Sequence, residues 1–419
     1  MTVHKATWQS IFTQLFNTGG QVALFILTLL FLSPAEVGRV AGIQAYALIV
    51  SALGALGFAN AIIYYRVTDT QVFNKISKVV LCYSATLGIV FFFAASSVTD
   101  CTATGQTFII TLYSLSIAFE SYGQICEARL QSAHEFSVVN KIDVFAVTLA
   151  GGIINGMILT FWRTGESLAL MFLINKVLRS FALSMAWGKC QPRSIITFHG
   201  NFRSFYSYAI SNGIGRIAFG CFQNLDQAIA ASVFTTENLG VYNRLVVGIK
   251  MIGNAVSNGF DRVLFPRAVA TDKAWCPDKQ VCWMMWLAIP AAWLGAYGAR
   301  KVSMVLTAPT ALMWLSELPV FSPLLLCIPL LIVDRLQSVA LRVGCLNIHR
   351  AIAIACICLL AGAFLVFTPS IEIARLIDLV VFMHIGLVLI NEIILRWYRM
   401  KKIADIASLG AASLILLVI

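Results

Sequence analysis

The chain has 419 residues, of which 59% are apolar and only 12% charged, with a formal net charge of +11. A soluble protein of this length carries about twice that charged fraction. The longest polar stretches, Gly188–Ser204 and Pro266–Val281, are too short to fold alone, so a separate catalytic or nucleic-acid-binding domain has no room.

Apolar runs of roughly 20 residues recur from end to end, each long enough to cross a bilayer. They predict spans over about 11–32, 40–65, 78–98, 107–126, 142–162, 167–187, 205–233, 238–262, 281–306, 318–345, 350–368 and 375–395. The segment 403–419 is apolar but short, and fits a thirteenth span or an interfacial helix. Met1–Ser10 carries only His4 and Lys5, and no small-residue cleavage site follows. The first run is therefore expected to be a transmembrane helix and not a signal peptide.

In the first six spans, Gly19-Gly20 and Gly151-Gly152 read as close helix-packing contacts, since a phosphate loop has no place in an apolar span. Glu120 stands on the fourth span. Glu127, Arg129, Lys141 and Asp143 fall at the inner surface and read as an ion-pair network of the loops. The sixth span carries Asn175, Lys176 and Arg179, with Lys176 too deep to reach either surface easily. The polar segment after it is the expected linker. That gives lobes over 1–190 and 205–396, a cytoplasmic linker over 191–204, and a basic turn with a short apolar helix over 397–419.

The seventh span carries Asn212, Arg216, Gln223 and Asp226 on one helical face. The eighth carries Asn243, Lys250, Asn254, Asn258 and Asp261, again on one face. Two aligned polar stripes either line a wet cavity or satisfy each other inside a tight bundle; the cost of polar groups in the bilayer favours the cavity. Pro290, Pro309, Pro319, Pro323 and Pro329 cluster in the ninth and tenth spans, and predict bent helices. The tenth span adds Asp334, Arg335, Ser338 and Arg342, with Asp334 and Arg335 facing apart as sequence neighbours. Asp378 and His384 in the twelfth read as structural groups.

Charge sets the orientation. With the N-terminus cytoplasmic, about nineteen Lys and Arg fall in or beside inner loops and about five outside. The inner set includes Arg66, Lys75, Lys78, Arg129, Lys189, Arg203, Arg350 and Arg396, whereas Thr99–Gly105 and Thr235–Gly240 carry no basic residue. The cysteines are scattered, with Cys356 and Cys358 the closest pair. Neither a disulfide framework nor zinc spacing is visible, and no cofactor or metal is expected.

The two halves echo one another. Gly38, Gly57 and Phe58 recur as Gly240, Gly259 and Phe260, each pair 202 positions apart, and Leu32–Gly38 resembles Phe234–Gly240. A nearly all-membrane chain built from parallel halves points to a transporter with its site between them. Among the deep groups Lys176, Arg179, Arg216, Arg244, Lys250 and Arg335 are basic and Glu120, Asp226 and Asp334 acidic. A positive, wet interior attracts an anion, and Arg and Lys are the usual phosphate partners. Arg216 and Lys250 are the expected substrate contacts, with Lys176, Arg179, Arg335, Asn212 and Asn254 contributing. Asp226 is the candidate for ion coupling, with Asp334 and Glu120 in reserve; the rival role for Asp226 is to neutralise an arginine. No catalytic constellation is present.

Asn224-Leu-Asp226, Leu239-Gly-Val-Tyr-Asn-Arg244 and Val263-Leu-Phe-Pro266 follow an order and spacing that resembles the Wzx-type polysaccharide flippases of bacterial envelopes. These share a superfamily with the MATE exporters and the lipid II flippases. Leu48–Arg66 resembles the family's second span and following loop, and Ala128–Gln131 with Phe136 its loop after the fourth span. The C-terminal third matches in hydropathy only. The resemblance implies an all-α polytopic membrane protein of about twelve helices in two six-helix lobes around a central cavity. It implies an activity that moves an isoprenoid-pyrophosphate-linked oligosaccharide, an O-antigen or capsule repeat unit, across the bacterial cytoplasmic membrane. Expected partners are that glycan, membrane lipid, a glycan polymerase and glycosyltransferases. A cation-coupled small-molecule exporter predicts acid-dominated sites instead. A membrane enzyme such as a polymerase or acyltransferase needs a large outer loop or a dense His/Asp/Arg cluster.

Overall fold

The computed structural model describes residues 31–98, 104–189, 201–248, 327–343, 346–367 and 372–398, with isolated positions at 13, 16, 20, 27, 28, 30, 250 and 265. Among them every regular element is helical: α1 (Pro34–Gly54), α2 (Phe58–Tyr64), α3 (Thr70–Val98), α4 (Thr104–Ser132), α5 (Phe136–Ala146), a π-helical stretch (Val147–Ile154), α6 (Asn155–Phe161), α7 (Gly165–Lys189), α8 (Phe202–Val233), α9 (236–248), α10 (Cys327–Val343), α11 (Asn347–Phe367) and α12 (Ile373–Trp397). Among the described residues, six helical segments are long and apolar enough to cross a bilayer: Pro34–Tyr64, Thr70–Ser97, Phe136–Phe161, Gly165–Trp187, Asn347–Phe364 and Ile373–Trp397. The 29 residues of α4 and 32 of α8 are also long enough, and carry the polar groups described below. The protein is a multi-pass membrane protein.

Local chemistry explains the ends. Ser33 caps α1, its Oγ accepting the Glu36 N–H at 3.3 Å, with Pro34 in the first turn and Glu36 beside the helix N-terminus. Asp69 caps α3 by accepting the Gln71 N–H at 2.7 Å, and Asn201 caps α8 by accepting from Arg203 at 2.9 Å. The expected second span is broken: Leu56 (φ 39°) and Gly57 (φ 71°) are left-handed and separate α1 from α2.

The chain forms two compact units, Met1–Gly240 and Val241–Ile419. In the first, α4 packs against α1, α2, α3 and α7, and α8 packs on α1 and α2. Its core joins Val40, Ile43 and Ala47 of α1, Phe91 of α3, Ile109, Ile110, Tyr113 and Ile117 of α4, and Ala169 of α7. In the second, α12 packs on α10 and α11. Large apolar side chains face outward, among them Phe93, Phe161, Leu359 and Phe382, as lipid contact requires. The expected linker 191–204 and last segment 403–419 fall almost wholly outside the described residues.

Gly20 does meet another helix, since a Cβ there would come 2.6 Å from Val147 Cγ1. Among the described residues, added Cβ atoms on Gly151 and Gly152 meet only Val147 of their own π-helical stretch within 4 Å. Of the expected proline cluster, Pro290, Pro309, Pro319 and Pro323 lie outside the described residues, and Pro329 falls within α10.

The start of α9 copies the start of α1. Ser33 and Thr235 both cap, with Asn238 N–H 3.4 Å from Thr235 Oγ1. The first backbone bonds, Val37 N–H to Ser33 O (3.2 Å) and Leu239 N–H to Thr235 O (2.8 Å), are equivalent at the same 202-residue offset. Gly259 and Phe260 lie outside the described residues.

Candidate functional site

In the first unit, charged and amide side chains of α1, α2, α4, α7 and α8 form a polar layer. Glu120, Gln124 and Glu127 share a face of α4 through spacings of four and three, and Lys176 and Arg179 share a face of α7. Close helix approach brings those faces together. A Cβ on Gly123 would meet Ser180 Oγ at 2.5 Å, and Ser180 Oγ donates to the Phe119 carbonyl at 2.6 Å.

Glu120 accepts from Ser51 Oγ of α1 at 2.7 Å and from Lys176 Nζ at 2.9 Å. Lys176 also lies 4.9 Å from the Phe172 ring centroid. One turn along α4, Gln124 Oε1 accepts from Arg216 Nη2 of α8 at 2.6 Å, and Arg216 also acts on Glu120 through space. A turn further, Arg179 donates to Glu127 and, through Nε at 2.8 Å, to Asp143 Oδ1 of α5. Asn212, buried on α8, donates to the Tyr208 carbonyl at 3.0 Å and accepts from Asn60 Nδ2 of α2 at 3.4 Å.

The layer is balanced in charge. Lys176, Arg179 and Arg216 stand among Glu120, Glu127 and Asp143. The inner-surface network expected from the sequence therefore has a different membership. Glu127 and Asp143 serve Arg179, while Arg129 donates to the Thr68 carbonyl and Thr70 Oγ1 and lies between the rings of Phe73 and Trp187. Lys176 and Arg179 each keep 27% of their side-chain surface accessible, so neither cation is sealed off by its carboxylates.

The remaining candidates are spread out. Asp226 is buried on α8, and Lys250 is half-buried at the end of the described part of the eighth span. In the second unit Asp334 is enclosed. Both its oxygens accept from Arg350 Nη2 at 2.8 Å, and Oδ1 also accepts from Asn391 at 2.9 Å. Arg350, counted from the sequence among the inner loop charges, is buried at the start of α11 and also donates to Ser338 Oγ at 2.8 Å. The Arg335 side chain and Asn254 lie outside the described residues. His384 is buried with Nδ1 2.8 Å from the Val380 carbonyl, a structural setting. Sequence reasoning missed Ser51, Asn60 and Gln124. The position of Gln124, four residues after Glu120, was the available signal.

The family described as Polysaccharide biosynthesis protein matches residues 30–274, more than half of the chain. The chain belongs to this family. Known structures of MATE and MOP-superfamily transporters share its fold. A MATE in complex with MaL6 is 13% identical, with a TM-score of 0.66 over 97% of this chain and 98% of that one. A MOP-superfamily transporter from Pyrococcus furiosus, described by the reverse polarity of its binding pocket, is 12% identical with a TM-score of 0.63 over 97% of each chain. An outward-facing multidrug resistance MATE is 15% identical with a TM-score of 0.60, also over 97% of each. No curated protein matches. At these identities the likeness establishes the fold: this polysaccharide biosynthesis family member has the twelve-helix architecture of the MATE transporters.

Proposed function

We propose that this family member is a flippase that carries an isoprenoid-pyrophosphate-linked oligosaccharide from the inner to the outer leaflet of the bacterial cytoplasmic membrane by alternating access. The observation that carries the proposal is the pairing of a polysaccharide biosynthesis family with a transporter fold. Such a family needs a step that moves a lipid-linked glycan across the membrane, and this fold is a vehicle for transport. The layer around Arg216 and Lys176 supports it, because guanidinium and ammonium groups within reach of phosphate oxygens suit a pyrophosphate headgroup.

In this reading Arg216 and Lys250 hold the phosphates. Lys176, Arg179 and Arg335 contribute charge, and Asn212 and Asn254 contribute neutral hydrogen bonds. The lipid tail stays in the bilayer and the N-terminus faces the cytoplasm. No covalent chemistry is involved, so the protein is a transporter and not an enzyme. The multidrug resistance relative of the same fold favours a second reading, a cation-coupled exporter of small molecules. Purified protein in vesicles, supplied with a lipid-pyrophosphate oligosaccharide in one leaflet, separates them. Protein-dependent appearance of glycan in the other leaflet is expected. Efflux of small cationic compounds with no movement of the glycan overturns the flippase reading.

A further inference from the structure

The span Phe136–Phe161 runs without a break yet changes helix type in its middle. Val147–Ile154 is π-helical, and the Asn155 N–H donates to the Ala150 carbonyl, five residues back. A π-helical stretch takes one residue more into the helix than α-helical bonding would, and such stretches concentrate at functional sites. Asn155 follows it directly. Its side chain is fully buried, and neither Oδ1 nor Nδ2 has a hydrogen-bond partner in the protein. Among the described residues no other amide is stranded at both atoms. An unbonded amide is costly in any apolar interior, and within a bilayer no solvent relieves it.

The surrounding residues supply a means of relief. Gly151 and Gly152 lie inside the π-helical stretch without a close-packing role, since added Cβ atoms would come no nearer than 3.5 Å to any described neighbour. What the pair adds is backbone freedom. Thr148 Oγ1 also donates to the Val144 carbonyl, four residues back, at 2.8 Å, a contact that slightly weakens helices. The first half of the span is held, because Asp143 accepts from Arg179 at 2.8 Å. A return of the stretch to α-helical bonding would therefore turn the second half, by one residue or about 100°. Ile154 and Ile158 would then enter the sites of Asn155 and Leu159, both now fully buried. Asn155 would take the present site of half-buried Gly156, and Leu159 that of exposed Thr160. Apolar side chains would fill the interior, and the amide would leave it.

We propose that this span is a two-register helix: π-helical here with Asn155 inside, and α-helical in a second state with Ile154 and Ile158 inside. The proposal rests on the transport reading, in which the span changes register in the course of each cycle. The present register carries a stranded amide and a rare helix type, and strain of that kind persists where a mechanism uses it. Ile154 and Ile158 have the same spacing as Asn155 and Leu159, so the second register is a defined packing and not a local unfolding.

Leu159 reports the register, because it passes from buried to lipid-facing. Leu159→Cys, tagged with a trifluoromethyl thiol reagent, is followed by fluorine NMR in nanodiscs under dissolved oxygen, which concentrates among lipid tails. Two signals are expected, one protected from oxygen and one broadened by it, and a lipid-pyrophosphate oligosaccharide should shift their ratio. Deletion of Gly152 removes the extra residue and keeps Asn155 inside an α-helix, so the protected signal alone should remain. Asn155→Leu supplies a second measurement without the tag. It replaces the stranded amide by an apolar side chain of similar size and holds the present register. Its melting temperature should rise, and most of its glycan movement in vesicles should be lost. A single signal from the tagged protein with and without glycan overturns the proposal, as does a ratio that the glycan leaves unchanged. So does an Asn155→Leu protein that melts below wild type, since the amide is then bonded, or one that transports at the wild-type rate. If wild-type protein moves no lipid-linked glycan, the flippase reading fails, while the NMR signals and the melting temperature still decide whether the helix has two registers.

Discussion

Arg350→Ala tests the buried network of the second unit. Arg350 and Asp334 keep only 7% and 3% of their side-chain surface exposed, and their bond joins α11 to α10. Asn391 of α12 donates to the same carboxylate, and Ser338 accepts a further Arg350 N–H, so one cluster ties three helices. Removing the guanidinium leaves a buried carboxylate whose one remaining donor among the described residues is the Asn391 amide. Breaking such a pair from one side costs about 3–5 kcal/mol, mostly the penalty of the stranded charge. Asp334→Ala alone strands Arg350 in the same way. The double variant strands neither, and should lose much less than the sum of the singles. Unfolding of the purified, detergent-solubilised protein by heat or denaturant measures all three variants against wild type. An Arg350→Ala protein as stable as wild type, or losses that simply add, refutes the buried pair. Arg350 would then be the exposed loop charge that its place in the sequence suggests.

Three further outcomes are expected. Arg216→Ala and Lys250→Ala should each cut surface glycan in a strain that depends on this protein, since one charge-assisted phosphate contact is worth roughly 1.5–3 kcal/mol. Arg216→Lys should also be impaired because a point charge replaces a planar fork. Normal glycan from well-expressed alanine variants at both positions would assign them to structural pairs. Asp226→Asn keeps shape and removes charge, so transport by that variant should lose its dependence on the coupling ion; full retention of that dependence excludes the role. On intact spheroplasts an impermeant thiol reagent should label Cys101 and spare Cys190, and the reverse pattern would invert the orientation drawn from the basic loops.

Hydropathy made the membrane class and most of the helices legible, but it measures the apolar middle of a helix and not its ends. The third span was expected from 78, yet α3 starts at Thr70 because the Asp69 carboxylate caps it, carrying Lys75 and Lys78 on a helical extension beyond the apolar run. The break at Leu56–Gly57 had a visible glycine, but an isolated glycine inside an apolar run is read as a packing contact unless something shows where the neighbouring backbone lies. Here that neighbour is α8, just over 150 residues further along.

Charge was harder still. Depth in the bilayer can be read from sequence, whereas partnership cannot. Glu127 and Asp143 were assigned to the surface by their position along the chain, and Arg179 to the substrate by its depth, yet the three form one cluster. Arg350 was assigned to a loop because it opens an apolar run, and it is buried against a carboxylate 16 residues earlier. A carboxylate that accepts from a cation raises no net field, so the interior potential depends on pairs and not on a census of deep residues. The bias toward anion binding therefore rests less on an excess of positive charge than on exchange. In the proposed flippase, phosphate oxygens would bind at Lys176 or Arg179 by displacing Glu120 or Glu127, and the displaced carboxylate would then need a proton, a cation or another donor. On that proposal, substrate entry and carboxylate release would be linked through the same side chains, which gives the carboxylates a way to displace the cargo again on the far side.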